Sequence, residues 1–309
     1  MKILYFGSDA FGVPSLEELK KKYHLIGVVT APDRPAGRGM KFSSTPVKIW
    51  AEENKVPVYQ PEDISDKRFI ETLKTLSPEF IVLISYGKIL PETIINIPSC
   101  CSVNVHPSLL PEYRGAAPME WALINGEKET GITVITIKDR VDTGDIIKQK
   151  KIQIEDTDDI FSLKKRLSEI APFLLIEGLE DIKKGIRPHP QEGRPTYARK
   201  LKKEDGLIHW EKSATEINNL IRGVKEWPGA YTYLDGKYIK IYGAIPVPGG
   251  KNKLAGEILD VDKTSIYVAC GEGMLKVSDV QMEGKKRMTA GEFLRGYPLK
   301  PGKIFSEKR

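Results

Sequence analysis

The sequence predicts two domains, an α/β domain on a mostly parallel sheet over residues 1–203 and a small OB-like β-barrel over residues 204–309. Through the first half, apolar strand-like runs alternate with amphipathic helical segments, a pattern typical of a parallel sheet covered on both faces. Beyond residue 206 the pattern changes to one helix followed by short strands and turns, as in small barrels. A length of 309 residues fits two such domains.

The elements of the first half follow from hydrophobic periodicity. The predicted strands are KILYFG, HLIGVVT, VPVY, EFIVLIS, CSVNV, ITVITI and DIIKQKKIQI. The predicted helices are VPSLEELKKK, PVKIWAEENK, SDKRFIETLKTL with Ser65 as its N-cap, PMEWALING, and a long segment over 159–184. Pro172 is expected to kink or split that last helix. Residues 186–206 lack periodicity and hold three prolines, so we interpret them as a linker around the domain boundary.

The second half begins with the helix SATEINNLIRGV, in which Ser213 and Glu216 have the spacing of a capping box. The strands that follow are AYTYL, KYIKIYGAI, AGEILDV, SIYVAC and MLKVSDVQM. Asp235-Gly236 between the first two is a strong signal for a tight hairpin. Several short strands with close turn signals favour a small barrel.

Composition narrows the class of protein. The formal charge of +6 permits an anionic partner without requiring one. We find no apolar run long enough to cross a bilayer and no signal-peptide pattern. The three cysteines, Cys100, Cys101 and Cys270, suit reduced thiols, and the four histidines are scattered, so we expect a cytoplasmic protein with no metal site. We also expect it to act as a monomer.

The stretch NVHPSLLPEYRG contains the main candidate for chemistry, His106. A lone histidine at a strand end is more often structural. However, Asn104 lies two residues earlier and so projects from the same face of the strand. The strand end is also where open α/β sheets bind ligands. The turn DRVDTGD supplies further carboxylates, at Asp139, Asp142 and Asp145.

An amide, an imidazole and a carboxylate can stabilise a developing oxyanion and transfer a proton during acyl transfer. The chain has no G-x-S-x-G nucleophile motif, and the neighbouring cysteines lie at the opposite end of their strand. These observations favour direct attack by a substrate nucleophile. Glycine-rich nucleotide motifs are also missing: FGSDAFGV is not G-x-G-x-x-G, and no G-x-x-x-x-G-K-[ST] occurs.

At this point the sequence resembles a known family. The run NVHPSLLPEYRGAAPMEWALINGEKETGITVITIKDRVDTGDII is similar to the signature region of the folate-dependent formyltransferases, with Asp142 thirty-six residues after His106. Outside it, APDRPAGRGMKFSSTPVKIWA, WEKSATEINNLIRGVKEWPGAYTYLDGKYIKI and QMEGKKRMTAGEFLRG resemble the branch of the family that formylates initiator methionyl-tRNA. The resemblance implies a Rossmann-like catalytic domain and extends to about residue 300.

The resemblance implies a role for each candidate residue. The formyl donor would be 10-formyltetrahydrofolate and the acceptor the α-amino group of methionine on initiator tRNA. The catalytic residues would be Asn104, His106 and Asp142. The folate site would include Ser108, Leu109, Leu110, Pro111, Tyr86, Gly87, Ile89 and Leu90. The tRNA would contact Arg34, Arg38 and Lys41 in a basic loop, and Lys285, Lys286 and Arg287 near the end of the chain.

Three alternatives share parts of this pattern. A formyltransferase that acts on a small amine, such as glycinamide ribonucleotide or an amino-sugar nucleotide, would have the same signature. The basic loop and the C-terminal domain argue against it. A catalytically silent RNA-binding relative would not need the intact Asn104, His106 and Asp142 set. A formyltetrahydrofolate hydrolase would leave the tRNA-like features unexplained.

Overall fold

A computed structural model describes residues 1–36, 41–250 and 252–308, and it divides into two compact units. The first unit comprises Met1–Pro118, Glu129–Gln153 and Lys164–Ala198, and the second comprises Met119–Lys128, Ile154–Leu163 and Arg199–Arg309. The sequence predicted one continuous boundary near residue 203. The two short segments of the first half that join the second unit were not expected.

The helices and strands can be given in chain order. The strands are β1 Lys2–Gly7, β2 His24–Val29, β3 Arg34–Ala36, β4 Lys41–Ser43, β5 Val58–Tyr59, β6 Phe80–Ile84, β7 Cys101–His106, β8 Arg114–Gly115, β9 Glu129–Thr136, β10 Ile146–Gln153, β11 Tyr197–Ala198, β12 Ala230–Leu234, β13 Lys237–Val247, β14 Ile258–Val261, β15 Ile266–Ala269, β16 Met274–Met282 and β17 Met288–Thr289. The α-helices are α1 Val13–Lys22, α2 Pro46–Glu53, α3 Lys67–Leu76, α4 Glu92–Ile95, α5 Pro118–Ile124, α6 Ile160–Lys183, α7 Ala214–Gly223 and α8 Ala290–Gly296. Short 3-10 helices span Ala10–Gly12 and Lys203–Gly206.

The first unit is built on a seven-stranded sheet of order β10-β9-β7-β6-β1-β2-β5. Its pairings are parallel from β7 to β5, and β9 runs antiparallel to both β7 and β10. The mostly parallel sheet predicted from the sequence is therefore confirmed. Residues 3–6 of β1 are all fully buried. Because successive side chains of a strand point to opposite faces, both faces of the sheet are covered.

Two local predictions about helices are corrected. The N-cap of α3 is Asp66, whose carboxylate accepts a hydrogen bond from the Phe69 amide, and not Ser65. Both residue types are good caps, and the sequence pattern alone does not separate neighbours. The helix α6 continues through Pro172 as one 24-residue element and is not split there. The capping box of Ser213 and Glu216 at the start of α7 is confirmed.

The second unit contains an antiparallel sheet of order β12-β13-β16-β15-β14, with β17 paired to β16. Among the described residues these pairings form an open path, so the predicted OB-like barrel is not found as a closed ladder of strands. Instead, both edge strands hydrogen-bond to the chain near its end. Tyr233 of β12 exchanges backbone bonds with Ser306 at 2.9 and 2.8 Å, and the Ile258 amide of β14 donates to Lys303 at 2.7 Å. No helix in the described part of the chain is long and apolar enough to span a bilayer.

Candidate active site

The site is built on β7, which lies between β6 and β9. Asn104 and His106 project from one face of this strand, as their spacing predicted. Asn104 pairs in register with Leu83 of β6 and Ile135 of β9. The His106 side chain is 5% exposed. A histidine buried to this degree needs hydrogen-bond partners for its ring nitrogens.

Both nitrogens of the His106 ring face a defined group. Nε2 lies 2.9 Å from the Tyr113 carbonyl oxygen. Because a carbonyl only accepts, Nε2 carries a proton and donates it. Nδ1 lies 3.5 Å from Oδ2 of Asp142, longer than an ordinary hydrogen bond. The Tyr113 contact thus fixes the tautomer of the neutral ring and leaves Nδ1 as the nitrogen that can gain or lose a proton.

The Asp142 carboxylate joins the group from the turn between β9 and β10. Oδ1 accepts a hydrogen bond from Nδ2 of Asn104 at 3.3 Å, and Oδ2 accepts one from the Gly115 amide at 2.8 Å. The Asp142 side chain is only 8% exposed. The three predicted catalytic residues are therefore brought together, with a backbone amide as a fourth member.

A cavity of about 110 Å³ opens beside Asn104 and Asp142. Its remaining lining residues are Leu83, Lys88, Ile89, Leu90, Ile135, Thr136, Ile137, Lys138, Arg140, Val141 and Gly144. Ile89 and Val141 at this cavity are 71% and 50% exposed. The cavity thus combines apolar walls, three cationic side chains and the polar side chains of Asn104 and Asp142, whereas His106 is not among its lining residues.

The predicted folate residues fall into two groups. Ile89 and Leu90 line the cavity, whereas Tyr86, Gly87 and the Ser108–Pro111 segment are not among its lining residues. Tyr86 packs edge-on against Phe6 with ring centroids 5.4 Å apart, and burial raises the pKa of its hydroxyl to about 12. Gly87 lies in the same turn with a positive φ of 82°.

The Ser108–Pro111 segment is held against β9 by buried hydrogen bonds. The Ser108 hydroxyl donates to the Glu112 carbonyl at 2.6 Å, and the Ser108 carbonyl accepts from the Thr133 hydroxyl at 2.7 Å. The Thr133 hydroxyl in turn accepts a hydrogen bond from the Leu110 amide at 3.1 Å. Leu109 lies over Gly131, where an added Cβ would come within 2.5 Å of its Cδ2. These contacts support the strand end that carries His106.

The predicted tRNA residues of the basic loop lie on the β3–β4 hairpin. Arg34 pairs with Ser43, and its side chain is 73% exposed, 4.0 Å from Glu62. Lys41 lies on β4, but its side chain is outside the described residues, as is the whole of Arg38. The base of the hairpin is fixed by an ion pair between Asp33 and Lys48, whose hydrogen bond lowers the pKa of the Asp33 carboxyl.

The second set of predicted tRNA residues lies in the second unit, between β16 and β17. Lys285, Lys286 and Arg287 are all exposed. The Arg287 guanidinium lies 4.9 Å above the ring of Tyr242 and 3.4 Å from a carboxylate oxygen of Asp279. The segment therefore presents cations next to an aromatic side chain, a combination found at nucleic-acid surfaces.

Residues 189–198, which were predicted to belong to a linker, contribute to the site. His189 exchanges backbone hydrogen bonds with Ile146 at the start of β10, at 2.8 and 3.0 Å. Further along, β11 pairs in parallel with β8. Between these points Gln191 contacts the turn that carries Asp142. A weak signal was present, because the strand-compatible run TYA follows the polar residues of this segment.

Comparison with known proteins identifies the family. Residues 1–179 match the Formyl transferase family model, and residues 200–298 match the Formyl transferase, C-terminal domain model. The chain is 43% identical over 310 residues to a methionyl-tRNA formyltransferase of Pelotomaculum thermopropionicum, covering 99% of both chains. It is 44% identical over 308 residues to a methionyl-tRNA formyltransferase of Caldanaerobacter subterraneus subsp. tengcongensis, covering 98% of this chain and 99% of the relative.

Solved structures share the fold at low sequence identity. A methionyl-tRNA formyltransferase from Clostridium thermocellum matches with a TM-score of 0.57 and 21% identity, over 79% of this chain and 93% of that one. HypX from Aquifex aeolicus in complex with tetrahydrofolic acid matches with a TM-score of 0.67 and 18% identity. That match covers 95% of this chain and 47% of the longer HypX chain. From the family models and the full-length relatives, the chain belongs to the formyltransferase family and, within it, to the methionyl-tRNA formyltransferases.

Proposed function

We propose that this protein transfers the formyl group of 10-formyltetrahydrofolate to the α-amino group of methionyl-initiator tRNA. The observation that carries the proposal is the convergence of an amide and a carboxylate at one cavity, with a buried imidazole 3.5 Å from that carboxylate, in a chain related over its full length to methionyl-tRNA formyltransferases. These groups match the needs of formyl transfer to an amine.

The cavity residues fit a folate. Leu83, Leu90 and Ile135 supply apolar walls of the kind that a flat heteroaromatic ring requires. Lys88, Lys138 and Arg140 place positive charge at the same cavity, which suits the carboxylates of a folate tail. When bound, the co-substrate supplies an electrophilic formyl carbon to the attacking amine.

In this proposal Asn104 stabilises the negative charge that builds on the formyl oxygen. Its side-chain amide has two N–H donors, and one of them is used by Asp142. The other has no partner among the described residues. One oxyanion donor of this kind contributes about 10²–10³ in rate. We therefore assign Asn104 as the main oxyanion donor.

His106 and Asp142 handle the proton. The ring cannot use Nε2, because that nitrogen donates to the Tyr113 carbonyl. Proton exchange is thus confined to Nδ1, which faces Asp142 Oδ2. The incoming α-amino group has an ordinary pKa of about 7.7–8.0, so much of it is neutral near pH 7.5 without a strong base. The His106–Asp142 pair then acts after attack, moving a proton from the amine toward the departing nitrogen.

We propose that the exposed cations contact the tRNA and that tRNA binding draws on both units. Arg34 lies on the β3–β4 hairpin, and Lys285, Lys286 and Arg287 lie in the second unit. Arginine and lysine side chains neutralise phosphates, and an arginine stacked on an aromatic ring is suited to RNA. A small amine as acceptor would give these side chains no role.

The decisive assay measures formylation of methionyl-initiator tRNA by the purified protein with 10-formyltetrahydrofolate. Glycinamide ribonucleotide and methionyl-elongator tRNA serve as competing acceptors. We expect the initiator tRNA to be formylated with a kcat/KM at least about 100-fold above glycinamide ribonucleotide, a difference of roughly 2.7 kcal/mol. Equal or faster formylation of the small amine would overturn the proposed acceptor, and inactivity of the protein toward every amine would overturn the proposed chemistry.

A further inference from the structure

The segment 189–198 is fixed at both ends to strands beside the site. At one end His189 bonds with Ile146 in both directions. At the other end Thr196 accepts a hydrogen bond from the Arg114 amide through its carbonyl at 2.9 Å, and one from the Tyr113 amide through its hydroxyl at 2.8 Å. The segment is therefore part of the folded first unit.

Gln191 lies between these fixed ends and holds the turn that carries Asp142. Its Nε2 donates to the carbonyl oxygens of Asp142 and Gly144, each at 2.8 Å. Asp142 has a positive φ of 55°, a left-handed conformation that non-glycine residues rarely adopt. Such a conformation persists where the surroundings determine it. The two bonds from Gln191 supply that constraint on either side of Thr143.

Arg114 fixes which way the Gln191 amide points. Oε1 of Gln191 lies 2.6 Å from Nη2 and 3.2 Å from Nε of Arg114. A guanidinium only donates, so the oxygen of the amide must face it and the nitrogen must face the two carbonyls. The orientation of the Gln191 amide is therefore fixed by the guanidinium on one side and by the two carbonyls on the other.

The same short strand also holds the Asp142 side chain. Gly115 follows Arg114 on β8, and its amide donates to Oδ2, the oxygen that faces the imidazole. Gly115 has a φ of 122°, and an added Cβ would lie 2.5 Å from the Ala198 carbonyl, so this close approach requires glycine. β8 thus fixes the carboxylate directly and the backbone of Asp142 through Gln191.

We propose that Gln191, oriented by Arg114, is a positioning residue that holds Asp142 against His106. The proposal rests on the proposed function for its kinetic consequence, since Asp142 is placed there in the proton-handling pair. Neither residue lines the cavity, so neither needs to touch the substrates.

The kinetic test is a double-mutant cycle between Gln191→Met and Asp142→Asn. Methionine preserves the length of the side chain and removes its hydrogen bonds. We expect Q191M to lower kcat about 10- to 100-fold, with the KM of each substrate within about twofold of wild type, since small misplacements of reacting groups have effects of this size. In the D142N background, Q191M should cause less than a twofold further loss, measured by single turnover. If Q191M lowers kcat by the same factor in the wild-type and D142N backgrounds, its role is merely structural and the proposal is overturned.

Two further variants keep the test informative. Gln191→Glu preserves shape and still accepts from Arg114, but it presents an oxygen to the two carbonyls, so we expect a loss as large as that of Q191M. Wild-type kcat in Q191E would contradict the proposal even if Q191M fails to fold. Gln153→Met is the matched control, because Gln153 is exposed and its amide donates to Glu129. We expect Q153M to retain the wild-type rate.

An NMR measurement tests the geometry without any substrate. The ring nitrogens of His106 are observed in long-range ¹H–¹⁵N spectra and assigned by their loss in His106→Asn. We expect the Nδ1 resonance to move in the same direction in Q191M and D142N, and to stay unchanged in Q153M. An unchanged Nδ1 resonance in Q191M would overturn the positioning role whatever the acceptor proves to be. Inactivity of wild type with the shift present would instead count against the proposed function.

Discussion

Replacing Asn104 by alanine should separate the chemical role of β7 from its structural role. The variant removes the oxyanion donor and one bond to Asp142, which is long at 3.3 Å. We expect kcat to fall about 10²–10³-fold, or about 2.7–4 kcal/mol of transition-state stabilisation. The KM for the folate should change little, because the lost interaction forms mainly as charge develops. Half-buried Asn104 should contribute only about 0.5–1.5 kcal/mol to the free energy of unfolding.

Ser102 provides the matched control on the same face of the same strand. It is 3% exposed, and its hydroxyl donates to the Ile95 carbonyl at 2.7 Å, away from the cavity. Ser102→Ala leaves that carbonyl without its hydrogen bond, which costs about 1–3 kcal/mol of stability. We expect S102A to lose stability and retain its kcat. We expect N104A to lose most of its kcat and to lose less stability than S102A.

Asn104→Asp sharpens the same test. The substitution preserves shape but places a second carboxylate about 3.3 Å from that of Asp142. At an effective dielectric constant of 20, two such charges repel by roughly 5 kcal/mol. We expect N104D to be at least as inactive as N104A in initial-rate formylation of methionyl-tRNA, with kcat and KM determined separately. Near-normal kcat in either variant would refute the oxyanion assignment.

Three other predictions concern the cavity rim, the RNA contacts and the pH dependence of stability. Arg140→Ala should raise the KM for the folate about 3- to 10-fold at low ionic strength, with kcat unchanged. Steady-state assays at increasing salt should show this difference in KM shrinking, because salt screens exposed charges. A triple alanine variant of Lys285, Lys286 and Arg287 should bind tRNA more weakly, with folate binding unchanged. The slope of log K for tRNA binding against log salt concentration, measured by filter binding, should fall by about 2–3. The hydrogen bond from Arg199 lowers the pKa of the Asp205 carboxyl below its ordinary value of 3.8. The stability that this pair contributes is therefore fully present above pH 3.8 and is lost as the pH falls through the lower pKa of the folded state. Arg199→Met should therefore destabilise the protein at pH 7 and make progressively less difference below pH 3.8 in urea titrations; an equal effect at all pH values would contradict this account.

The parts of the fold that follow regular periodicity could be predicted from the sequence. A two-residue period places Asn104 and His106 on one face, and the structure has them there. Continuous apolar runs that alternate with helices predicted the mostly parallel sheet, because strands covered on both faces are apolar throughout. The position of a cap is less certain, as Asp66 shows, because its neighbour Ser65 could make the same bond. The predicted OB-like barrel is not found as a closed strand ladder among the described residues, because an edge strand hydrogen-bonds to irregular chain near Ser306 that carries no strand pattern.

The positioning residues could not be predicted by the same means. Gln191 contacts Asp142 across 49 positions of the sequence, through backbone carbonyls that any residue possesses. Periodicity reports only which face of an element is buried, so it contains no information on such a bond. Arg114 lies within the formyltransferase signature region, but Gln191, to which its side chain donates, lies outside that region. A single sequence therefore indicates candidate catalytic groups more readily than the groups that position them.

Asn104, His106 and Asp142 differ in how the fold holds them in position. The proposed catalytic residues Asn104 and His106 lie on a buried strand with neighbours on both sides, so the sheet fixes their backbone positions. Asp142 lies outside the sheet, in a turn with a positive φ, so its position depends on hydrogen bonds from Asn104, Gln191 and the Gly115 amide. We therefore expect the His106–Asp142 contact at 3.5 Å to respond to changes at Gln191 more than the position of Asn104 does, and a shorter contact in the substrate complex would strengthen the proposed proton-handling pair.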